Sequence, residues 1–301
     1  MSLNTKKVIF IVGPTAIGKT ALSIKLAKKL NTDIISCDSR QFYKELKIGT
    51  SPPNAYELSQ VKHHFIHNIS IKNDYNAGMY EIDAVNQIKK LHKTKDILIV
   101  VGGSGLYVNA ICKGFDKIPN ISKQTRTEVK TKYHKNGLIW LQKKVKSIDP
   151  ILYNEYETNN PQRLLRALEV FQETGKSISA FQSKRIKKRP FDIIKIGLNM
   201  DRNILYERIN KRVDKMIKEG LVEEVRSLVN EQYRNALQTV GYKEIFSFFN
   251  DECTLQQAIE DIKRNTRRFA KRQVTWFKKE ENIKWYKPDQ ITDITQTILE
   301  S

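Results

Sequence analysis

Gly13, Pro14, Thr15, Ala16, Ile17, Gly18, Lys19 and Thr20 fit the pattern G-x-x-x-x-G-K-[ST] in full. The chemistry of such a run is phosphate binding. Its glycines let successive backbone N–H groups curl around an anion, and the helix that follows adds the positive end of its dipole. Lys19 is placed to meet a terminal phosphate and Thr20 to offer its hydroxyl to Mg²⁺. Asp38, within Cys37-Asp38-Ser39, can take a proton from an incoming nucleophile as a general base. A turn-stabilising or metal-binding aspartate is the alternative. An ordinary P-loop ATPase also carries an acid for its metal at the end of a later strand. Here that place reads Val100-Val101-Gly102-Gly103-Ser104-Gly105, with no acid. His63, His64 and His67 are three of the five histidines. Their neighbours are apolar and no fourth ligand is evident, so their role stays open.

The elements that must position these groups follow from hydrophobic pattern. Val8–Val12 is a continuous apolar, β-branched run, as in a buried parallel strand, and it ends at the phosphate-binding run. Thr20–Leu30 has helical spacing, Asp33–Cys37 reads as a second strand, Ala77–His92 as a polar-faced helix and Asp96–Val101 as a third strand. Alternation of this kind predicts an α/β fold with a parallel sheet wrapped by helices on both faces. The carboxyl ends of neighbouring strands open onto one crevice, so Asp38 is expected beside the P-loop. From Asp116 to Pro190 the chain is helical and Lys-rich, Ile193–Leu198 returns as a strand, and the remainder reads as helical. The expected organisation is a core of 1–115 and 193–301 interrupted by an all-helical insertion at 116–192. Within it Asn160 and Pro161 open a helix as N-cap and first turn. Leu164, Leu165, Leu168 and Phe171 form its buried face, and Gln162, Arg163 and Arg166 lie elsewhere, as on any solvated helix.

The 301 residues, 40% apolar and 29% charged, are globular in composition, which excludes collagen-like and low-complexity classes. Against 33 acidic residues stand 53 basic ones, a net charge of +20 and a pI near 9.7. A surplus of that size costs self-repulsion and points to a polyanion, nucleic acid foremost. Ile262–Lys279 contains Lys263, Arg264, Arg267, Arg268, Lys271, Arg272, Lys278 and Lys279 and no acid, interrupted by Phe269, Trp276 and Phe277. Residues 184–189 form a second basic run. Single-sign faces suit a phosphate backbone. Cys37, Cys112 and Cys253 suggest neither a disulfide framework nor a zinc site, so a reducing cytoplasm is the default. The apolar start is too short to span a membrane. A metabolite kinase using Asp38 and an RNA-binding protein without chemistry are the other readings.

Together these segments resemble the bacterial-type tRNA dimethylallyltransferases. The matches are GPTAIGKT at 13–20, CDSRQFYKELKIGTSPP at 37–53, GGSGLY at 102–107 and NPQRLLRALEVFQETGK at 160–176. RVDKMIKEGLVEEVRSL at 212–228, TVGYKE at 239–244 and TRRFAKRQVTWFKK at 266–279 complete the set. The resemblance implies a P-loop NTPase-like core with an inserted tRNA-binding domain, acting as a monomer in the cytoplasm. It implies transfer of a dimethylallyl group from its diphosphate to the exocyclic amine of the adenosine 3′-adjacent to a tRNA anticodon. The P-loop then holds a prenyl diphosphate rather than ATP, which accounts for the missing acid. By matching position Asp38 is the general base, and Lys19 and Thr20 bind diphosphate, Thr20 together with Mg²⁺. Asp38, Ser39, Arg40 and Gln41 correspond to positions that contact tRNA, here the anticodon stem-loop. So do Gln162, Arg163, Leu164, Leu165 and Arg166, and also Gln238, Thr239, Val240, Gly241, Tyr242 and Lys243. Ser104 stands where the family usually has Thr, so the tRNA contact implied there is kept by a hydroxyl. Arg126 and Arg208 match positions assigned to tRNA and diphosphate respectively. Where the family has PHHLID this chain has Lys62-His-His-Phe-Ile-His67.

Overall fold

The structure is a computed structural model that describes residues 6–155, 158–183, 185–280 and 282–301. They divide into two compact units, Met1–Lys113 with Lys188–Ser301, and Gly114–Lys187. The inserted unit is thus somewhat shorter than the 116–192 expected.

The first unit is built on six parallel strands: β1 (Lys7–Val12), β2 (Ile34–Ser36), β3 (His63–His64), β4 (Ile97–Gly102), β5 (Asp192–Leu198) and β6 (Ile283–Tyr286). Their spatial order is β3-β2-β4-β1-β5-β6. β1 explains why the run Val8–Val12 is apolar throughout. Val8, Phe10 and Val12 pack into one layer with α3 (Ala77–Leu91) and α4 (Gly105–Cys112). Ile9 and Ile11 pack into the other with α1 (Lys19–Lys29), α8 (Arg202–Lys218) and α12 (Ile291–Glu300). A strand buried on both faces has no polar side to show. The helix α2 (Ala55–Gln60) precedes β3 and is opened by a capping box between Asn54 and Glu57. A third apolar cluster joins the end of α8 to α9 (Leu221–Arg226), α10 (Tyr242–Phe249) and the start of α11 (Leu255–Lys278).

Two strands depart from the sequence reading. β3 has two residues, too few for any alternation to register. β6, Ile283-Lys-Trp-Tyr286, corrects the expectation that everything after residue 198 is helical. It is an edge strand paired only with β5 in the sheet order, and its mixed pattern gives a weak signal.

The second unit consists of α5 (Lys123–Ile148), α6 (Pro150–Glu155) and α7 (Pro161–Thr174), then a 3₁₀ turn at Ile178–Phe181. α5 is broken at Gly137, where φ is 74°. Asn160 caps α7 by accepting from Gln162 N at 3.2 Å, and Gly175 ends it with φ of 70°. Val129, Leu141 and Val145 of α5 meet Leu164, Leu165 and Leu168 of α7 in its core.

Candidate active site

The phosphate-binding run leaves β1 through Gly13, at φ 145°, where an added Cβ would lie 2.8 Å from the carbonyl oxygen of Leu198. Ala16 at φ 64° and Gly18 at φ 106° bend the loop back into α1. Ile17 is fully buried in the core and anchors it. Lys19 folds over the loop, donating to the carbonyls of Gly13 at 3.0 Å and Pro14 at 2.7 Å. Burial pushes its ammonium down to about 7; the Asp38 carboxylate pulls upward and the Arg212 guanidinium pushes further down.

A cavity of roughly 920 Å³ opens here, at the carboxyl ends of β1, β2 and β4. Thr15, Ala16, Gly18, Lys19 and Thr20 line one side, and Ser36, Asp38, Ser39, Arg40 and Gln41 another. Asp38 Oδ1 accepts from Arg40 N at 2.9 Å, so the turn-stabilising role exists and engages one carboxylate oxygen. Ser104 Oγ accepts from Ser39 N at 3.1 Å and donates to Ser39 Oγ at 3.2 Å, fixing the segment that carries Asp38.

The missing strand-end acid has a steric reason. A Cβ at Gly102 would lie 2.0 Å from the carbonyl oxygen of Cys37, and one at Gly103 would lie 2.2 Å from Gln273 Nε2. Gly102 has no room for a side chain, and one at Gly103 would displace the Gln273 amide. Buried Gln273 instead ties the two loops together, accepting from Thr15 N at 2.8 Å and donating to Gly103 O at 2.9 Å.

Gln273 escaped the sequence reading, and so did Arg212. Arg212 Nε donates to Ser51 Oγ at 2.7 Å and Nη1 to Thr15 Oγ1 at 2.9 Å. Burial lowers its guanidinium to about 10, with Asp38 opposing. Arg208, one turn earlier on α8, also lines the cavity, with Nη2 3.5 Å from where a Gly18 Cβ would stand. The spacing i, i+4 that puts both arginines on one face is present in the sequence. Lys211 and Lys215 share the same helix, however, and charge alone does not tell which cation is buried.

Gln238, Thr239, Val240, Gly241 and Lys243 line the same cavity. Tyr242 does not: it is fully buried, and its hydroxyl donates to Glu224 Oε1 at 2.6 Å. The assignment of its side chain to tRNA is corrected to a packing role. Leu164 and Leu165 are corrected likewise, since both are buried in the core of the second unit. Gln162, Arg163 and Arg126 are exposed there, and Arg166 is half-buried, 3.8 Å from Glu169. Burial raises the Glu169 carboxyl, opposed by Arg126, Arg166 and Lys130, so these cations gather around one point.

The basic runs are less uniform than their composition. Lys263 lies 2.8 Å from Asp214 and 3.1 Å from Glu260, and Arg264 lies 2.7 Å from Asp261. Arg267 donates to Asn210 Oδ1 at 2.7 Å and stands over the Tyr206 ring. Arg268 and Lys271 are exposed, and Arg272 lines the cavity. In the second run Lys184 lies outside the described residues, and Arg189 is no surface cation. It is buried 3.0 Å from Glu81 and donates to the carbonyls of Ala110 and Ile111. His63 lines the cavity and its Nδ1 donates to Val61 O at 2.8 Å; His64 pairs with Asp33 at 2.8 Å. Among the described residues no group of three or more His, Cys, Asp or Glu could hold a metal ion.

The IPP transferase family model matches residues 41–280. The chain is 50% identical over 282 residues to the tRNA dimethylallyltransferase of Christiangramia forsetii, covering 94% of this chain and 93% of that protein. It is similar to the crystal structure of a tRNA isopentenylpyrophosphate transferase from Bacillus halodurans, with a TM-score of 0.72 and 36% identity. That match covers 98% of this chain and 96% of the other. It is also similar to a eukaryotic dimethylallyltransferase acting on tRNA, with a TM-score of 0.78 and 27% identity, over 96% of this chain and 75% of that one. A match across 240 residues, and half the positions identical over nearly the full length, leave one conclusion: the chain belongs to the IPP transferase family.

Proposed function

We propose that this protein transfers the dimethylallyl group of dimethylallyl diphosphate to the exocyclic amine of the adenosine 3′-adjacent to a tRNA anticodon. The observation that carries the reading is one cavity shared by a phosphate-binding loop, the half-buried cations Lys19 and Arg212, and the carboxylate of Asp38. An amine whose lone pair is delocalised into a purine ring is a poor nucleophile. Its attack needs an electrophile with allyl-cation character and a base for its proton.

The P-loop amides, Lys19, Arg208 and Arg212 hold the diphosphate and stabilise the charge it gathers as it leaves. The allylic carbon–oxygen bond breaks with its electron pair going to diphosphate, the adenine nitrogen forms the new bond to carbon, and Asp38 takes the proton from nitrogen. The adenine cannot enter such a cavity while stacked, so it must be extruded from its loop. Residues 38–41, 238–241 and Lys243 line the cavity on the side available to the nucleotide, and the exposed Arg126, Gln162 and Arg163, with the half-buried Arg166, grip RNA elsewhere. A Mg²⁺ ion fits as a companion of the diphosphate rather than as a resident metal. Thr20 lines the cavity, and Mg²⁺ is commonly held by one or two protein groups plus substrate phosphates, where it neutralises developing charge.

Competition between labelled dimethylallyl diphosphate and ATP tests the assignment of the loop. The prenyl diphosphate should bind, and Lys19→Ala should weaken its binding far more than that of tRNA. Preferential, Lys19-dependent binding of ATP would instead indicate a kinase.

A further inference from the structure

Glu224, on α9, takes no part in the chemistry above, yet its carboxylate is fully engaged. Oε2 accepts the backbone N–H groups of Lys47 and Ile48, each at 2.8 Å. Oε1 accepts Gly49 N at 3.0 Å and the Tyr242 hydroxyl at 2.6 Å. Four donors match the four lone-pair directions of a carboxylate. Bonds to an ionised acceptor are roughly twice as strong as neutral ones. Three successive amides on one carboxylate therefore fix the course of the chain at 47–49. Gly49 has no room to be anything else, since an added Cβ would lie 2.5 Å from the Tyr242 ring.

The chain so pinned runs directly into the cavity wall. Ser51 Oγ accepts from Arg212 Nε at 2.7 Å, and the carbonyls of Thr50 and Ser51 accept from Gln41 Nε2 at 3.3 and 3.1 Å. Arg212 continues to Thr15 Oγ1 in the phosphate loop. We infer that Glu224 is a positioning residue for the transfer: it holds residues 47–51 so that Ser51 aims the Arg212 guanidinium at the diphosphate, with Tyr242 completing its coordination. The inference deepens the proposed function and rests on the diphosphate lying at the P-loop end of the cavity. It also gives the buried Tyr242 of the TVGYKE segment a task that needs no contact with RNA.

The test measures binding of inorganic diphosphate by calorimetry and steady-state kinetics with dimethylallyl diphosphate and tRNA. In Glu224→Gln an amide NH₂ faces backbone donors, which loosens the segment. The dissociation constant for inorganic diphosphate and the KM for the prenyl diphosphate should rise about tenfold or more, as expected for slight misplacement of a binding group. The KM for tRNA should stay near its original value. Tyr242→Phe, which keeps the ring against Gly49, should move the same constants in the same direction by less. Adding Ser51→Ala to Glu224→Gln should cost little more, because groups acting through one path are not additive. Wild-type diphosphate constants in both single variants would overturn the inference, and so would full additivity with Ser51→Ala. If Glu224→Gln does not fold, Tyr242→Phe with Ser51→Ala carries the same cycle. Inorganic diphosphate binding needs no turnover, so it decides this inference even if wild-type protein forms no prenylated adenosine, a result that would refute the proposed function alone.

Discussion

Lys19 shows what a half-buried, desolvated cation contributes before any substrate arrives. Burial first, then Arg212, hold its ammonium near 7 against the pull of Asp38. A diphosphate adds negative charge beside it and raises its pKa, so above about pH 7 binding must take up a proton and affinity must fall as pH rises. Calorimetry at pH 8 in two buffers of different ionisation enthalpy should reveal that uptake, and Lys19→Ala should abolish it; equal apparent enthalpies in wild-type protein would contradict the account. Asp38 has a different signature. Asp38→Ala should keep both substrates bound and lower turnover about 10²–10⁴-fold, the usual share of a general base. A single-turnover rate like that of wild type would remove Asp38 from the proton transfer. The places of the phosphate run and of Asp38 at strand ends beside one cavity could be read from residue order because strand pattern sets them. Arg212 and Gln273 could not, because what distinguishes them is burial against Thr15, 197 and 258 residues away in sequence.

Helix packing decides which charges are left to solvent. On α11 the acids that satisfy Lys263 and Arg264 come from the preceding turn and from α8, whereas Arg268 and Lys271 face solvent. Arg268→Gln with Lys271→Gln should flatten the dependence of log tRNA affinity on log salt by about one and a half units, at roughly 0.7–0.9 per lost phosphate contact. Lys263→Gln should leave the slope unchanged; equal slopes for all variants would return this helix to general solubility. Arg189 belongs to stability instead. Arg189→Ala breaks the buried pair with Glu81 and removes the donor to two backbone carbonyls, and should cost about 3–5 kcal/mol in denaturant unfolding. The basic run 184–189 looked uniform in sequence because an arginine buried against a distant glutamate has the same letter as a solvated one. Long elements with a clear period were legible, as β1, α1 and α3 were. β3 and β6 were not, since edge strands of two and four residues carry too little pattern.

At the scale of the molecule, the chain carries a net charge of +20, and the phosphate-binding cavity of its first unit is lined by the cations Lys19, Arg40, Arg208, Arg212, Lys243 and Arg272 among polar and apolar residues. A surface of that sign attracts a polyanion from a distance, and the cavity sorts what reaches it by chemistry. Membership of the IPP transferase family joins the two, since a tRNA and a prenyl diphosphate are both anions but need different contacts. The most direct measurement is mass spectrometry of nucleosides from unmodified tRNA incubated with the protein, dimethylallyl diphosphate and Mg²⁺. The account predicts isopentenyladenosine at the position 3′-adjacent to the anticodon, dependent on Asp38 and Lys19. Unmodified adenosine there, from folded protein that binds both substrates, would contradict it.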